Sequence, residues 1–204
     1  MKKTIISSII LIIILIGMGG CAQKQGADTV LKLSDKNMQI TSQAFKNQEK
    51  IPAKYTCDGE NVNPPLQFSD IPAEAKSLAL IVDDPDAPRG DWVHWLVWNM
   101  KIGRSESRKP GDTEARNLGS SELEKIEIAE NSVPERATQG LNDFGKNNWG
   151  GPCPPSGSHR YFFKVYALDT ILDLPVSSKK ADLLAAMNNH ILAQGELVGV
   201  YSRK

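Results

Sequence analysis

Trp92-Val93-His94-Trp95-Leu96-Val97-Trp98-Asn99-Met100 is the stretch on which the fold turns. Side chains alternate along a strand, so Trp92, His94, Leu96 and Trp98 are expected on one face and Val93, Trp95 and Val97 on the other. Both faces are apolar. A strand of this kind needs cover on both sides and sits in the middle of a sheet. His94 lies between two tryptophans and, taken alone, reads as a hydrogen-bonded core residue.

Upstream, Ser77 to Val82 is a second buried-type strand. It runs into Asp83-Asp84-Pro85-Asp86-Ala87-Pro88-Arg89-Gly90-Asp91, where Pro85 pushes Asp84 into extended backbone. Downstream, His159-Arg160-Tyr161-Phe162-Phe163-Lys164-Val165-Tyr166-Ala167-Leu168 is a third, with His159, Tyr161, Phe163, Val165 and Ala167 on one face. It follows Gly150-Gly151-Pro152-Cys153-Pro154-Pro155-Ser156-Gly157-Ser158, a loop that its prolines stiffen. Each proline-studded turn thus meets an apolar strand with a histidine at the junction. The chain has three histidines, and two occupy these corresponding places, which points to one pocket built from both segments.

The remaining elements are shorter. Met38-Gln39-Ile40-Thr41-Ser42 alternates like a first strand, and residues 51–68 read as ordered loop with short extended pieces. Residues 101–126 are crowded with charge and read as a long polar surface loop, with a helical turn near Ser121-Glu122-Leu123-Glu124. Ile126 to Glu130 returns as a short strand. Lys179 to Ala193 is the best helix, with Leu183, Leu184, Met187, Ile191 and Leu192 as its apolar face and Gly195 as its stop. His190 falls near its end, where a histidine meets the carbonyl dipole favourably. Glu196 to Tyr201 is a closing strand. Short strands, turn-rich loops and one late helix predict a mainly β single domain, most simply a sandwich.

The first twenty residues stand apart from this domain. Lys2 and Lys3 precede an apolar run from Ile5 to Ile16, and Met18-Gly19-Gly20-Cys21 resembles a bacterial lipoprotein processing site. That resemblance implies cleavage before Cys21 and lipid on its sulfur, which would anchor the protein to a membrane. An ordinary cleaved signal and an uncleaved anchor are the alternatives, and all three send the domain outside the cytoplasm, to the cell envelope. Residues 21–37 read as a flexible tether and 38–204 as the domain. Acidic and basic residues number 24 each, and without Lys2 and Lys3 the formal charge is −2. This balance argues against nucleic acid as a partner. Cys57 and Cys153 remain in the domain; in an oxidising compartment they either form one disulfide or stand as two small thiols.

The expected pocket offers a carboxylate, two imidazoles and glycine-exposed backbone amides, a set suited to phosphate or another small oxyanion. Asp84 and Asp86 have three roles open to them: capping backbone amides, orienting an imidazole, or pairing with an incoming donor. An aspartate beside the histidines would favour their protonated form. Gly150-Gly151 lets the backbone come close and turn N–H groups inward, and the prolines hold the loop ready. Two histidines and an aspartate could instead hold a zinc with one open position for hydrolysis. No His-Glu-x-x-His pattern supports that, and no serine or cysteine stands in a nucleophile elbow. The reading is therefore a binding protein, without a cofactor, rather than an enzyme.

Asp84-Pro85-Asp86-Ala87-Pro88, Trp92-Val93-His94-Trp95 and Gly151-Pro152 through His159-Arg160-Tyr161 resemble the phosphatidylethanolamine-binding protein family. Cys57-Asp58-Gly59, Pro64-Pro65-Leu66, Asn142-Asp143-Phe144-Gly145 and Gly150 to Pro155 are similar to its bacterial and archaeal branch, often called Raf kinase inhibitor-like proteins. The resemblance runs from about Met38 to Tyr201. It implies a β-sandwich with a few peripheral helices and a small anion pocket. The pocket would comprise Asp84, His94, His159 and Tyr161, with Gly151 and Pro152 as backbone wall and Trp92 near the mouth. It also implies weak binding of phosphate-like or phospholipid head groups, inhibition of a protein partner in some members, and frequent homodimers. Residues 101–126 are longer and more charged than the family's usual connection. A lipoprotein-type signal is uncommon in it and argues against an intracellular kinase as target.

Overall fold

The computed structural model describes residues 37–103 and 126–203. The signal-like segment with Cys21, nearly all of the tether, and residues 104–125 with the turn expected at Ser121-Glu122-Leu123-Glu124 lie outside the described residues.

In chain order the elements are β1 (Gln39–Thr41), a 3-10 turn (Ala53–Tyr55), β2 (Leu66–Ser69), β3 (Ser77–Asp84), β4 (Trp92–Lys101), β5 (Ile126–Ile128), β6 (Thr138–Gln139), β7 (Ser158–Leu168), α1 (Lys180–Met187) and β8 (Ile191–Ser202). They form a three-stranded sheet, β1-β2-β5, and a five-stranded sheet, β6-β4-β3-β7-β8. Every pairing is antiparallel. The fold is the mainly β, single-domain sandwich that the sequence predicts. Helical cover is sparser than expected: one α-helix and one 3-10 turn among the described residues.

The core explains why β3 is buried along its whole length. Leu78, Leu80 and Val82 face the small sheet together with Tyr161, Phe163 and Val165 of β7, against Ile40, Leu66, Phe68 and Ile128. Ala79 and Ile81 face the other way, with Leu96, Trp98 and Tyr166, beneath Leu183 and Met187 of α1. Two apolar faces on one strand thus meet two separate layers of cover.

The simple alternation expected along β4 needs correction. Val82 pairs with Trp95 but Asp83 pairs with Val93, and Leu80 pairs with Val97 but Leu78 with Met100. At each break β4 carries one more residue than β3, which is a β-bulge. Asn99, at φ 58°, occupies one bulge. His94, which has no partner in the register, occupies the other. Val93 therefore packs with Leu96 and Trp98, and the His94 ring instead meets Tyr161 edge-on at 5.1 Å.

The helix expected over 179–193 ends at Met187. Asn189 has a left-handed φ of 65°, and Ile191 already begins β8 along β7. Ile191 and Ala193 are buried as strand residues. His190 sits in the turn between helix and strand, with Nδ1 at 2.7 Å from Asp169 Oδ1, and not on the helix. The outer edge of β8 is covered by preceding chain: Met38 N–H donates to the Gln194 carbonyl and Ile51 N–H to that of Val200. Covering an edge in this way blocks pairing with other chains.

Candidate functional site

The ends of β3, β4 and β7 open onto a recess of about 290 Å³. Asp84, His94 and His159 form its polar floor. Ala87, Pro88 and Arg89 come from the turn between β3 and β4, and Trp92 from the start of β4. Phe144 and Cys153-Pro154-Pro155 close the remaining sides. Asp84 and His94 are 3% exposed and His159 is 7% exposed.

Each imidazole is fixed through its Nδ1. His159 Nδ1 donates to Asp84 Oδ2 at 2.7 Å. Asp84 uses its other oxygen to accept the Asp86 N–H at 2.9 Å. His94 Nδ1 donates to the Gly150 carbonyl at 2.5 Å, and since a carbonyl can only accept, the proton is on Nδ1. Burial pushes the His94 pKa down, against smaller opposing effects of Gly150 and Asp84. Burial thus works against the protonated ring expected there, and the Gly150 contact leaves Nε2 as the uncommitted ring nitrogen. Neither Nε2 has a partner among the described residues.

Two further contacts hold the turn that carries Ala87 to Arg89. Arg160 clasps Asp86 with Nε at 2.8 Å and a terminal nitrogen at 2.7 Å, which holds the Asp86 carboxyl down to about 2. On the outer face, Lys180 of α1 bridges buried Asp83 at 2.5 Å and Asp91. Lys164 also reaches Asp83, at 2.8 Å. The loop bearing Phe144 is built on Asn142, whose amide donates to the His94 and Asn148 carbonyls and whose oxygen accepts from Phe144 and Lys146 N–H.

Residues 41–202 match the model of the phosphatidylethanolamine-binding protein family. The chain belongs to that family. A UPF0098 protein of Methanothermobacter thermautotrophicus is 46% identical over 81% of this chain and 99% of its own. One from Chlamydia muridarum is 43% identical over 81% and 99%. Among solved structures, Chlamydia trachomatis CT736 is 41% identical, with a TM-score of 0.69 over 83% of this chain and 99% of that one. Escherichia coli YbcL, described as a new member of the mammalian PEBP family, is 30% identical with a TM-score of 0.68 over 82% and 99%.

Within this family member, Asp84, Trp92, His94 and His159 are gathered around one recess. Gly151 and Pro152 do not line it. The Gly151 N–H donates to Asn61 Oδ1 at 2.8 Å and the Gly150 N–H to the His94 carbonyl at 3.1 Å, so neither amide turns inward. Gly151 is there for close packing, since a Cβ would stand 2.5 Å from the Tyr55 carbonyl oxygen. The wall lies two residues on, at Cys153-Pro154-Pro155, and a disulfide joins Cys153 to Cys57 with Cα atoms 5.4 Å apart. Tyr161 is 1% exposed and supports the His94 ring from the core side. Its hydroxyl has no hydrogen-bond partner of good geometry, and burial pushes its pKa up.

Seven lining residues lay outside the expected pocket: Ala87, Pro88, Arg89, Phe144, Cys153, Pro154 and Pro155. Arg89 was visible as the basic residue within the Pro-rich turn and has no ion-pair partner among the described residues. Phe144 stands in the Asn-Asp-Phe-Gly turn and is 41% exposed, an unusual place for a phenylalanine. It meets Trp92 edge-on at 5.5 Å and His94 at 5.4 Å. A metal reading gains nothing from the geometry. No three His, Cys, Asp or Glu side chains cluster to hold an ion among the described residues, and Asp84 spends both oxygens on protein groups.

Proposed function

We propose that this protein binds a small phosphate-type oxyanion in the recess formed by Asp84, His94 and His159. One observation carries the reading: two buried imidazoles each commit Nδ1 to an acceptor and leave Nε2 without a protein partner beside the same cavity. Arg89 brings a positive charge to the rim. Trp92, Phe144, Pro154 and Pro155 suit a guest whose anionic head is joined to an apolar group. The family name, with its phosphate-bearing head group, agrees with this chemistry. Calorimetry with inorganic phosphate on the wild type and on His159→Ala tests it. A saturable signal, lost in a variant with unchanged near-ultraviolet dichroism, supports binding here, and equal affinity in both rejects it.

The same proposal places the protein at the cell envelope, held to a membrane through lipid on Cys21. It rests on the basic, apolar and small-residue order of residues 1–21. Labelling with a radioactive fatty acid, lost in Cys21→Ala, is the expected result. A protein target engaged through residues 101–126 and a homodimer extend the proposal. Pull-down with a deletion of that segment and native mass spectrometry test them separately.

A further inference from the structure

We propose that a second cleft, separate from the oxyanion recess, binds a neutral sugar ring. It measures about 220 Å³ and lies among the loop before β2, the loop after β5, β6 and the segment ahead of Trp149. It shares no lining residue with the recess, so the inference does not depend on what the recess holds. None of its lining side chains is ionisable. Amides take that place, from Asn61, Asn63, Asn131, Gln139 and Asn148.

Hydrogen bonding divides these amides by what they have left to offer. Asn63 is committed at both ends: its nitrogen donates to the Ala129 carbonyl at 3.0 Å and its oxygen accepts from the Ser132 N–H at 3.0 Å. The Gln139 oxygen accepts from the Trp95 indole at 2.7 Å, and the Asn61 oxygen from the Gly151 N–H at 2.8 Å. Each of these two amides is thereby fixed, and its nitrogen remains an uncommitted donor among the described residues. The exposed side chains of Asn131 and Asn148 have no hydrogen-bond partner among the described residues at either end. The rest of the lining is mostly carbon. Trp95 and Trp149 meet edge-on at 5.7 Å, and both indole N–H groups are already committed, to Gln139 and to the Tyr55 carbonyl. Val62 and Val133 join them, and Val133 is 38% exposed. A cleft that mixes uncommitted amides with carbon surface and carries no charge matches a pyranose. Its hydroxyls both donate and accept, and its ring faces carry C–H bonds. A charged guest would find no opposite charge there.

The test is a titration of the full chain with N-acetylglucosamine, followed by nitrogen–proton correlation spectra in a detergent without a sugar head group. Saturable movement of the Trp95 and Trp149 indole signals and of the Gln139 side-chain amide is expected, with the His94 and His159 backbone signals unmoved. The double variant Asn131→Gly with Asn148→Ala removes two amide side chains that hold nothing else in the protein, and glycine suits the left-handed φ of 52° at Asn131. Its affinity for the sugar should fall at least about tenfold, the effect of losing about two hydrogen bonds, while its melting temperature stays unchanged. Signals that stay still up to the solubility limit of the sugar would overturn the proposal. Unchanged affinity in the double variant would overturn the role of the amides. N-acetylalanine amide shares the acetamido group and lacks the ring; equal affinity for it would replace the sugar by a peptide. Each of these failures leaves the oxyanion reading standing, because phosphate titration tests the recess by itself.

Discussion

His159 Nδ1 and Asp84 Oδ2 meet at 2.7 Å, although the residues are 75 apart in the chain. Both are buried on neighbouring strands. Asp84→Ala leaves the imidazole N–H without an acceptor and frees the Asp86 amide. Urea denaturation should show a loss of about 2 kcal/mol, and phosphate binding should be abolished. Asp84→Asn keeps an acceptor and should cost less stability. Equal stability of wild type and Asp84→Ala would mean that the contact contributes nothing.

The Cys57–Cys153 disulfide spans 96 residues and pins one wall of the recess. Closing a loop of this length constrains the unfolded chain by about 4 to 5 kcal/mol in the chain-entropy model. Cys57→Ser with Cys153→Ser should lower stability by up to that amount. Phosphate affinity should fall as well, because Pro154 and Pro155 lose their tether. An unchanged melting temperature in the double variant would show that packing alone holds the wall.

Acid should act on the Asp86–Arg160 clasp in a defined window. The folded pKa of about 2 for Asp86 lies below the value of about 3.9 in an unfolded chain. A depressed carboxylate contributes fully above about pH 4 and loses its contribution as pH falls through about 2. The side chains are 56% and 28% exposed, so solvent screening limits the effect to under about 1 kcal/mol. Asp86→Asn should therefore be slightly less stable than wild type at neutral pH and indistinguishable from it below about pH 2. A difference that stays constant across this range, measured by urea midpoints, would contradict the assignment.

Gly151→Ala tests the packing role of that glycine. Its Cβ would meet Asn61 Oδ1 at 2.4 Å and the Tyr55 carbonyl oxygen at 2.5 Å. Relief requires movement of the 3-10 turn, so a loss of about 2 to 3 kcal/mol is expected. Phosphate affinity should change less than in the Asp84 variants. A variant as stable as wild type that loses binding would instead put Gly151 in the recess.

The central sheet was legible because its strands state their environment locally. Ser77 to Val82 and Trp92 to Met100 are apolar on both faces, and His159 to Ala167 alternates correctly, so burial and pleat agree. The end of α1 was not legible from apolar spacing. Ile191 continues the i, i+4 spacing of Leu183 and Met187, and only pairing with β7 makes it strand. Asn188-Asn189 was the available stop signal. The bulge at His94 depends on which β3 residue Trp95 pairs with, a fact that no β4 residue carries. The floor of the recess was readable as histidines beside rigid turns. Its upper wall was not, because whether Gly151 or Pro154 faces the recess is set by contacts with Asn61 and Tyr55, some 90 residues earlier.

Nitrogen-15 resonance of the three histidines during a titration with inorganic phosphate probes the recess most directly. The expected result is a protonated Nδ1 and free Nε2 on His94 before addition. Saturable movement of the His94 and His159 Nε2 signals should follow, with His190, paired to Asp169 on the surface, unmoved. Stationary Nε2 signals from both buried rings at saturating phosphate would contradict an oxyanion site there.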